Sequence, residues 1–84
     1  MNERPKPIHE IRLGAIKAAI WKNESSNGCF YNATFTRFYK DVEEWKTSAT
    51  FGRDDLPLLA SIAGRANSWI YDRIQAEAGQ QSLL

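Results

Sequence analysis

The sequence has little of what most catalytic and metal-binding domains require. It has one cysteine, Cys29, which cannot form an intramolecular disulfide. It also has one histidine, His9, and these two residues are too few to form a Cys/His metal site. A general acid–base catalyst needs a positioned partner in a shaped pocket. His9 lies at the edge of an N-terminal arm, where the sequence offers no such partner. A glycine-rich phosphate-binding loop is missing as well. The sequence therefore predicts a protein that is not an enzyme and that uses no cofactor, metal or small-molecule substrate.

Long apolar runs are also missing. None approaches the roughly 20 residues that a bilayer-spanning helix needs, and the first seven residues lack the apolar core of a signal peptide. A single cysteine is typical of a protein in a reducing compartment. We therefore expect a cytoplasmic protein that makes no contact with a membrane.

The length of the chain limits the size of its core. With 84 residues it forms one domain, and chains of this size often gain stability by oligomerising. The net charge of +1 provides no overall positive field for a nucleic acid. Two prolines and alternating charge predict a flexible arm over residues 1–7, followed by a sheet-plus-helix domain over 8–78 and a frayed tail over 79–84.

Aromatic and β-branched residues dominate the stretch 29–51 on both sides of an acidic break at residues 41–44. Such residues fit a pleated, half-buried surface, so the stretch predicts a β-hairpin. Alternating apolar residues predict a strand over 15–22, and a shorter strand over 8–13 ends at Gly14, a position typical of a bulge or sharp bend. The Asn27-Gly28 pair favours a hairpin connection between the second and third strands.

A helix is predicted after residue 56. Asp54 or Asp55 can cap its first turn, where Pro57 is also tolerated. Gly64 interrupts the pattern and suggests a close crossing over a strand, and the helix is expected to fade near residues 77–79. The apolar residues that recur at helical spacing are Leu59, Ile62, Ala63, Ala66, Ile70 and Ile74. The sequence thus predicts an α+β fold, an antiparallel three- to four-stranded sheet (β-β-β-β-α) with one C-terminal helix packed on one face.

Alternation along the strands predicts which side chains face this helix. Arg37 and Tyr39 continue the core-side register of the third strand, at the margin of the sheet. The residues expected to form the core face of the sheet are Ile16, Ala18 and Ile20, then Tyr31, Ala33 and Phe35, then Trp45, Thr47, Ala49 and Phe51.

The charged residues in the bodies of the predicted strands, over 11–22, 29–40 and 45–51, are all basic. The charged residues of the strand bodies are Arg12, Lys17, Lys22, Arg37, Lys40 and Lys46. Cations that track phosphates, combined with aromatic rings on which bases stack, are typical of single-stranded nucleic-acid binding. The predicted site comprises Lys17, Lys40 and Lys46 for phosphates with Arg37 as a secondary contact, Trp21, Phe30 and Phe38 for stacking, and Thr34, Thr36 and Ser48 for hydrogen bonds.

The same residues admit a second interpretation. Lysines also protect sheet edges from aggregation, and acidic residues are depleted in strands without any ligand being involved. Trp21 and Phe38, or the helix flank with Trp69 and Tyr71, can instead be buried against another protein. The alternative is therefore a small homodimeric protein-interaction or assembly module.

The order of the elements and several short segments resemble those of known proteins. The chain resembles a group of short uncharacterised bacterial proteins in the segments 11–18, 20–24, 31–35, 39–41 and 48–59. In its layout, a short strand ending in Gly14, a basic strand, two further strands and a C-terminal helix, it resembles the single-stranded-DNA-binding domain of the transcriptional positive-cofactor family. That resemblance implies a homodimer that binds unpaired DNA on a curved sheet, in transcription or DNA maintenance. The contacts it implies are Lys17, Trp21, Phe38, Lys40 and Lys46.

Overall fold

A computed structural model describes residues 6–82. Its elements are β1 (His9–Leu13), β2 (Ile16–Ser25), β3 (Gly28–Asp41), β4 (Glu44–Ser48), a 3₁₀ turn (Arg53–Asp55) and α1 (Leu56–Ser82). The predicted α+β fold, an antiparallel sheet followed by one C-terminal helix, is confirmed. Of the predicted arm and tail, residues 1–5 and 83–84 lie outside the described residues.

The strands follow one another across the sheet in chain order, and each pairs antiparallel with the next. Every connection is a two-residue turn, since Leu13 pairs with Ile16, Ser25 with Gly28, and Asp41 with Glu44. Such short turns fix the register of the strands that they join. The sharp bend expected at Gly14 is thus the turn between β1 and β2, and Gly14 adopts the left-handed conformation there (φ 60°).

The core lies between α1 and the middle of the sheet. Ile16 and Ile20 of β2 are fully buried, and they pack with Ile62 and Ala66 of α1. Cross-strand partners share a face, so β1 and β3 contribute the side chains next to them on the same side. These partly buried neighbours are Ile11 and Leu13 of β1 and Tyr31, Ala33 and Phe35 of β3. The predicted core face is therefore confirmed for β2 and β3.

The prediction for β4 is wrong. The two-residue turn pairs Tyr39, which is on the helix side of β3, with Lys46, and it pairs Phe38 on the opposite side with Thr47. Lys46 therefore faces the helix side, and Trp45, expected in the core, is 70% exposed on the other side. Phe51 does pack against the core, because the chain has left the sheet before reaching it.

The helix begins as predicted, with Pro57 in its first turn, but differs in three respects along its length. It continues to Ser82 rather than fading near residues 77–79. Ile74, assigned to the core stripe, is 44% exposed. Nothing lies within 4 Å of the position that a Cβ atom on Gly64 would occupy, so the expected close crossing over a strand is absent.

Helix and sheet form two thin layers, and the described chain measures 57 × 38 × 17 Å. Its radius of gyration is 15.9 Å, against about 12 Å for a typical compact chain of this length. Only six hydrophobic residues in the described part are buried. The side of the sheet that faces away from α1, called here the outer face, is covered by no other element within residues 6–82.

Candidate nucleic-acid interface

The sheet register divides the predicted site residues between two faces. Seven of them share the outer face, namely Lys17, Trp21, Phe30, Thr34, Thr36, Phe38 and Lys40. Three lie on the helix side, namely Arg37, Lys46 and Ser48. Arg37 was expected on that side at the sheet margin, whereas assigning Lys46 and Ser48 to the outer face was wrong.

Phe38 is the centre of a cationic cluster on the outer face. The guanidinium carbon of Arg12 lies 4.7 Å from the ring centroid, and Lys17 Nζ lies 5.6 Å from it. Arg12 and Lys17 are cross-strand partners in β1 and β2, so the sheet itself holds the two cations side by side. Lys17 also approaches Glu10 at 3.8 Å. An exposed cation–π contact contributes about 0.5–1 kcal/mol, so a phosphate can compete with the ring for either cation.

One aromatic side chain of the outer face, Trp21, has a hydrogen-bond partner on the neighbouring strand. Its indole Nε1 donates a hydrogen bond to Thr34 Oγ1 at 2.9 Å, which fixes the ring against the neighbouring strand. The Thr34 hydroxyl accepts this bond and keeps its own proton for another acceptor. Ala19, in the same strand as Trp21, is only 6% exposed although no helix covers it. The side chains around Trp21 therefore shield part of the outer face by themselves.

The most exposed aromatic rings of the outer face lie far apart along β3. Phe30, near the start of the strand, is 51% exposed, and Trp45, the cross-strand partner of Lys40, is 70% exposed. At about 3.3 Å per residue, Phe30 and Lys40 are separated by roughly 33 Å. An extended polymer lying along β3 would meet an exposed ring near each end.

Two residues of the outer face, Arg12 and Trp45, were not part of the predicted site. Arg12 could have been found by counting across the turn, because a two-residue connection at Gly14-Ala15 pairs it with Lys17. The face on which Trp45 lies is set by the register between β3 and β4. That register could not be predicted, because the turn residues Val42-Glu43 include no glycine or asparagine that would indicate the turn type. Val42 has φ 58°, which is unusual for a β-branched residue.

On the helix side, the predicted site residues already have partners. Arg37 Nε donates to the Thr50 carbonyl at 3.2 Å and lies 3.3 Å from Asp55 Oδ2. Ser48 Oγ donates to the same carbonyl at 3.3 Å. These contacts hold the connection between β4 and α1. The two side chains therefore have a structural role and stand apart from the outer face.

Each face of the sheet carries three strand cations, but the two faces differ in how many of these cations form ion pairs. On the helix side each one is in an ion pair, namely Lys22–Glu77 at 3.6 Å, Arg37–Asp55 at 3.3 Å and Lys46–Asp41 at 3.0 Å. On the outer face, Lys17 has its long contact with Glu10, and neither Arg12 nor Lys40 forms an ion pair within residues 6–82. The outer face therefore retains net positive charge in a nearly neutral protein.

A polar cluster joins the C-terminal half of α1 to the sheet. The Tyr31 hydroxyl donates to the Glu77 carboxylate at 3.0 Å, and Arg73 Nε lies 3.3 Å from the same group. The hydrogen bond from Tyr31 lowers the pKa of Glu77, and the charges of Arg73 and Lys22 act in the same direction. Glu77 in turn raises the pKa of Lys22. The cluster thus favours charged Glu77 and anchors the helix over β2 and β3.

His9 packs against the helix. Its ring stacks on Trp69 with a centroid separation of 4.6 Å and an interplanar angle of 6°, and Arg73 lies over the same indole at 5.4 Å. This contact joins β1 to α1. Within the described residues, no group of three His, Cys, Asp or Glu side chains is arranged to hold a metal ion. None of the helices described is both long and apolar enough to cross a membrane.

Comparison of the chain with protein-family models, curated proteins and solved structures finds no match. The two resemblances therefore stay predictions, and the function has to be argued from the geometry of the two sheet faces.

Proposed function

We propose that this protein is a non-enzymatic module that binds single-stranded nucleic acid, with single-stranded DNA as the first ligand to test. The observation that carries the proposal is the pairing of the strand cations. Those on the helix side are matched by carboxylates. On the outer face, Arg12 and Lys17 lie against the ring of Phe38, with Glu10 at 3.8 Å from Lys17, and Lys40 is the cross-strand partner of Trp45. This combination meets the requirements of a sequence-tolerant single-strand site.

Each group on the outer face has a role in this mechanism. Lys17, Lys40 and Arg12 contact phosphates, and release of counterions drives that part of the binding. The exposed rings of Phe30 and Trp45 accept bases, while Trp21 and Phe38 offer half-buried platforms between them. The hydroxyls of Thr34 and Thr36 donate hydrogen bonds to phosphate or base oxygens. A cytoplasmic setting and a role in transcription or DNA maintenance remain predictions that accompany this proposal.

Lys40 and Lys46 provide a matched pair of variants. Both lie near the β3–β4 turn, yet Lys40 faces outward with Trp45 while Lys46 faces the helix side and pairs with Asp41. A labelled oligo-dT and a matched duplex are titrated against the wild type, Lys40→Ala and Lys46→Ala at several salt concentrations. We expect Lys40→Ala to weaken single-strand binding and to reduce the log–log salt slope by about 0.7. Lys46→Ala should keep the wild-type slope.

Stacking is tested separately through tryptophan fluorescence. We expect Trp45→Ala to lower the affinity for oligo-dT by roughly 5- to 150-fold, which corresponds to about 1–3 kcal/mol for one stacked base. Trp69→Phe, on the helix side, should leave both affinity and most of the ligand-induced quenching intact. Absence of oligo-dT binding at low salt, or binding that does not respond to salt, would refute the proposal.

A protein-interaction or assembly role is the second candidate. It is supported by the small number of buried residues and by the exposed rings of Phe30 and Trp45. If the outer face is a protein interface, Trp45→Glu should change the oligomeric state, and oligo-dT should bind neither the wild type nor this variant. If the outer face is a nucleic-acid site, Trp45→Glu should weaken oligo-dT binding and leave the molecular mass in solution unchanged.

A further inference from the structure

The outer face has an uncharged half at the end of the sheet nearest the β2–β3 turn. The outward positions of β2 and β3 in this half carry no charge, and they are Trp21, Asn23, Ser25, Gly28, Phe30 and Asn32. The strand cations of the outer face lie toward the other end, at Arg12, Lys17 and Lys40. The uncharged half therefore offers a nucleic acid aromatic rings and carboxamides instead of cations.

The strand register places rings and carboxamides of this half in alternation. Trp21 is the cross-strand partner of Asn32, and Asn23 is the partner of Phe30. Partners on one face of an antiparallel pair have their Cβ atoms about 4.5–5.5 Å apart. Each carboxamide thus lies beside one ring, and a base that stacks on the ring brings its edge close to an amide group.

Asn23 has a hydrogen-bond donor that the fold does not use. Its Nδ2 atom is shielded from water and has no hydrogen-bond partner within residues 6–82. A shielded donor without a partner destabilises the protein that contains it, so a ligand that accepts this hydrogen bond removes a penalty. The neighbouring Phe30 ring is 51% exposed, so it can turn as a base stacks on it and open the carboxamide to the edge of that base.

A carboxamide distinguishes between bases through the order of its two polar atoms. It presents a donor, Nδ2, beside an acceptor, Oδ1, in one plane. Adenine carries the complementary pair, since N7 accepts and the N6 amino group donates, and asparagine binds these two atoms together. Guanine presents two acceptors on the same edge, N7 and O6, and thymine has no N7. Adenine is therefore the base that best matches a carboxamide beside a stacking ring.

We propose that Asn23 and Phe30 form an adenine subsite within the single-strand site. The base stacks on Phe30, Nδ2 of Asn23 donates to N7, and Oδ1 accepts from the N6 amino group. This inference rests on the proposed function, in which phosphate contacts in the cationic half provide affinity for any sequence. The subsite adds a preference for single strands that contain adenine.

A change of one atom in the base tests the subsite without altering the protein. Labelled oligo-dT is prepared with central thymines replaced by adenine, and in a second version by 7-deazaadenine, which stacks alike but has C–H in place of N7. The wild type should bind the adenine version about fivefold or more tightly than the 7-deazaadenine version, because a bidentate contact is lost. Fluorescence anisotropy at several salt concentrations measures both affinities.

Asn23 and Asn27 give a matched pair of variants. Asn27 lies in the β2–β3 turn, outside the strands, so Asn27→Ala should keep the wild-type preference for adenine. In Asn23→Ala the adenine and 7-deazaadenine versions should bind equally, with a wild-type salt slope, since no phosphate contact is removed. Circular dichroism checks that each variant is folded.

The outcomes separate this inference from the proposed function. Salt-sensitive binding of oligo-dT with equal affinity of the wild type for adenine and 7-deazaadenine would overturn the subsite and leave the proposed function standing. A preference that persists in Asn23→Ala would also overturn it. Absence of binding to every oligonucleotide at low salt would refute both.

Discussion

The two faces of the sheet are built from the same strands but differ in how their charges are satisfied. On the helix side, the cations of β2, β3 and β4 pair with Glu77, Asp55 and Asp41. On the outer face, Arg12 and Lys17 lie against Phe38, and among the cations of this face Lys17 is the one that approaches a carboxylate of residues 6–82. A chain with a net charge of only +1 can thus carry a local positive surface. The difference indicates that the helix side serves the fold and that the outer face is available for a ligand.

The largest expected effect comes from removing a core side chain on the helix side. Ile62 is fully buried, and Ile62→Ala should lower the free energy of unfolding by about 2–5 kcal/mol, because a cavity remains. Trp45→Ala on the outer face should change it by no more than about 0.5 kcal/mol. Urea unfolding followed by circular dichroism measures both. A comparable loss for Trp45→Ala would mean that the outer face also belongs to a packed interior.

Gly14 tests the contact between the β1–β2 turn and the helix. An added Cβ would lie 2.9 Å from Leu58 Cδ2, and the residue has a left-handed conformation. Gly14→Ala should therefore cost at least about 1–2 kcal/mol of unfolding free energy. Chemical denaturation checks this value. An unchanged stability would show that neither the turn nor the Leu58 contact is as tight as described.

Gly64 should respond in the opposite direction. It lies within α1, and the space that its Cβ would enter is open. Gly64→Ala should therefore raise the unfolding free energy by roughly 0.8–1 kcal/mol through helix propensity. Thermal unfolding at low protein concentration measures the gain. A loss that appears only at high concentration would indicate that a partner approaches this part of the helix.

The smallest effect concerns acid pH. The hydrogen bond from Tyr31 lowers the pKa of Glu77 in the folded chain, so Glu77 contributes stability above its unfolded pKa. This contribution is lost as the pH falls below about 4.3 and through the lower folded value. Because Glu77 is accessible to solvent, the change should be small. Glu77→Gln should flatten the pH dependence of the unfolding free energy between pH 6 and 3, whereas Glu43→Gln at the exposed turn should not.

The sequence allowed most of the fold to be predicted, because alternation in β2 and β3 and helical spacing after Pro57 are strong patterns. It did not determine the face of β4. Its small polar residues fall on both sides, Thr47 on one and Ser48 on the other, and the large ring of Trp45 suggested a core position that the turn at Val42 rules out. One step of register is enough to exchange every side chain between faces.

The wrong register of β4 explains three errors in the candidate site. It placed Lys46 and Ser48 on the outer face, and it left Trp45 out of that face.

Two other residues were misjudged for different reasons. Arg12 was recognised as a strand cation, but its neighbour Phe38 lies two strands away and is close only in the folded sheet. Ile74 belonged to a helical pattern broader than the core, so spacing could not tell packed from exposed positions.

The chain-order arrangement of the four strands also has a consequence for how the protein folds. Each pair of strands is joined by a two-residue turn, so the sheet can form by successive closure of short loops. Contacts between residues close in sequence favour rapid folding. Docking of α1 on β1 and β2 is the step that closes the longest loop. We therefore expect stopped-flow refolding faster than that of β-sandwich domains of similar length, with Ile62→Ala mainly accelerating unfolding if the helix docks last.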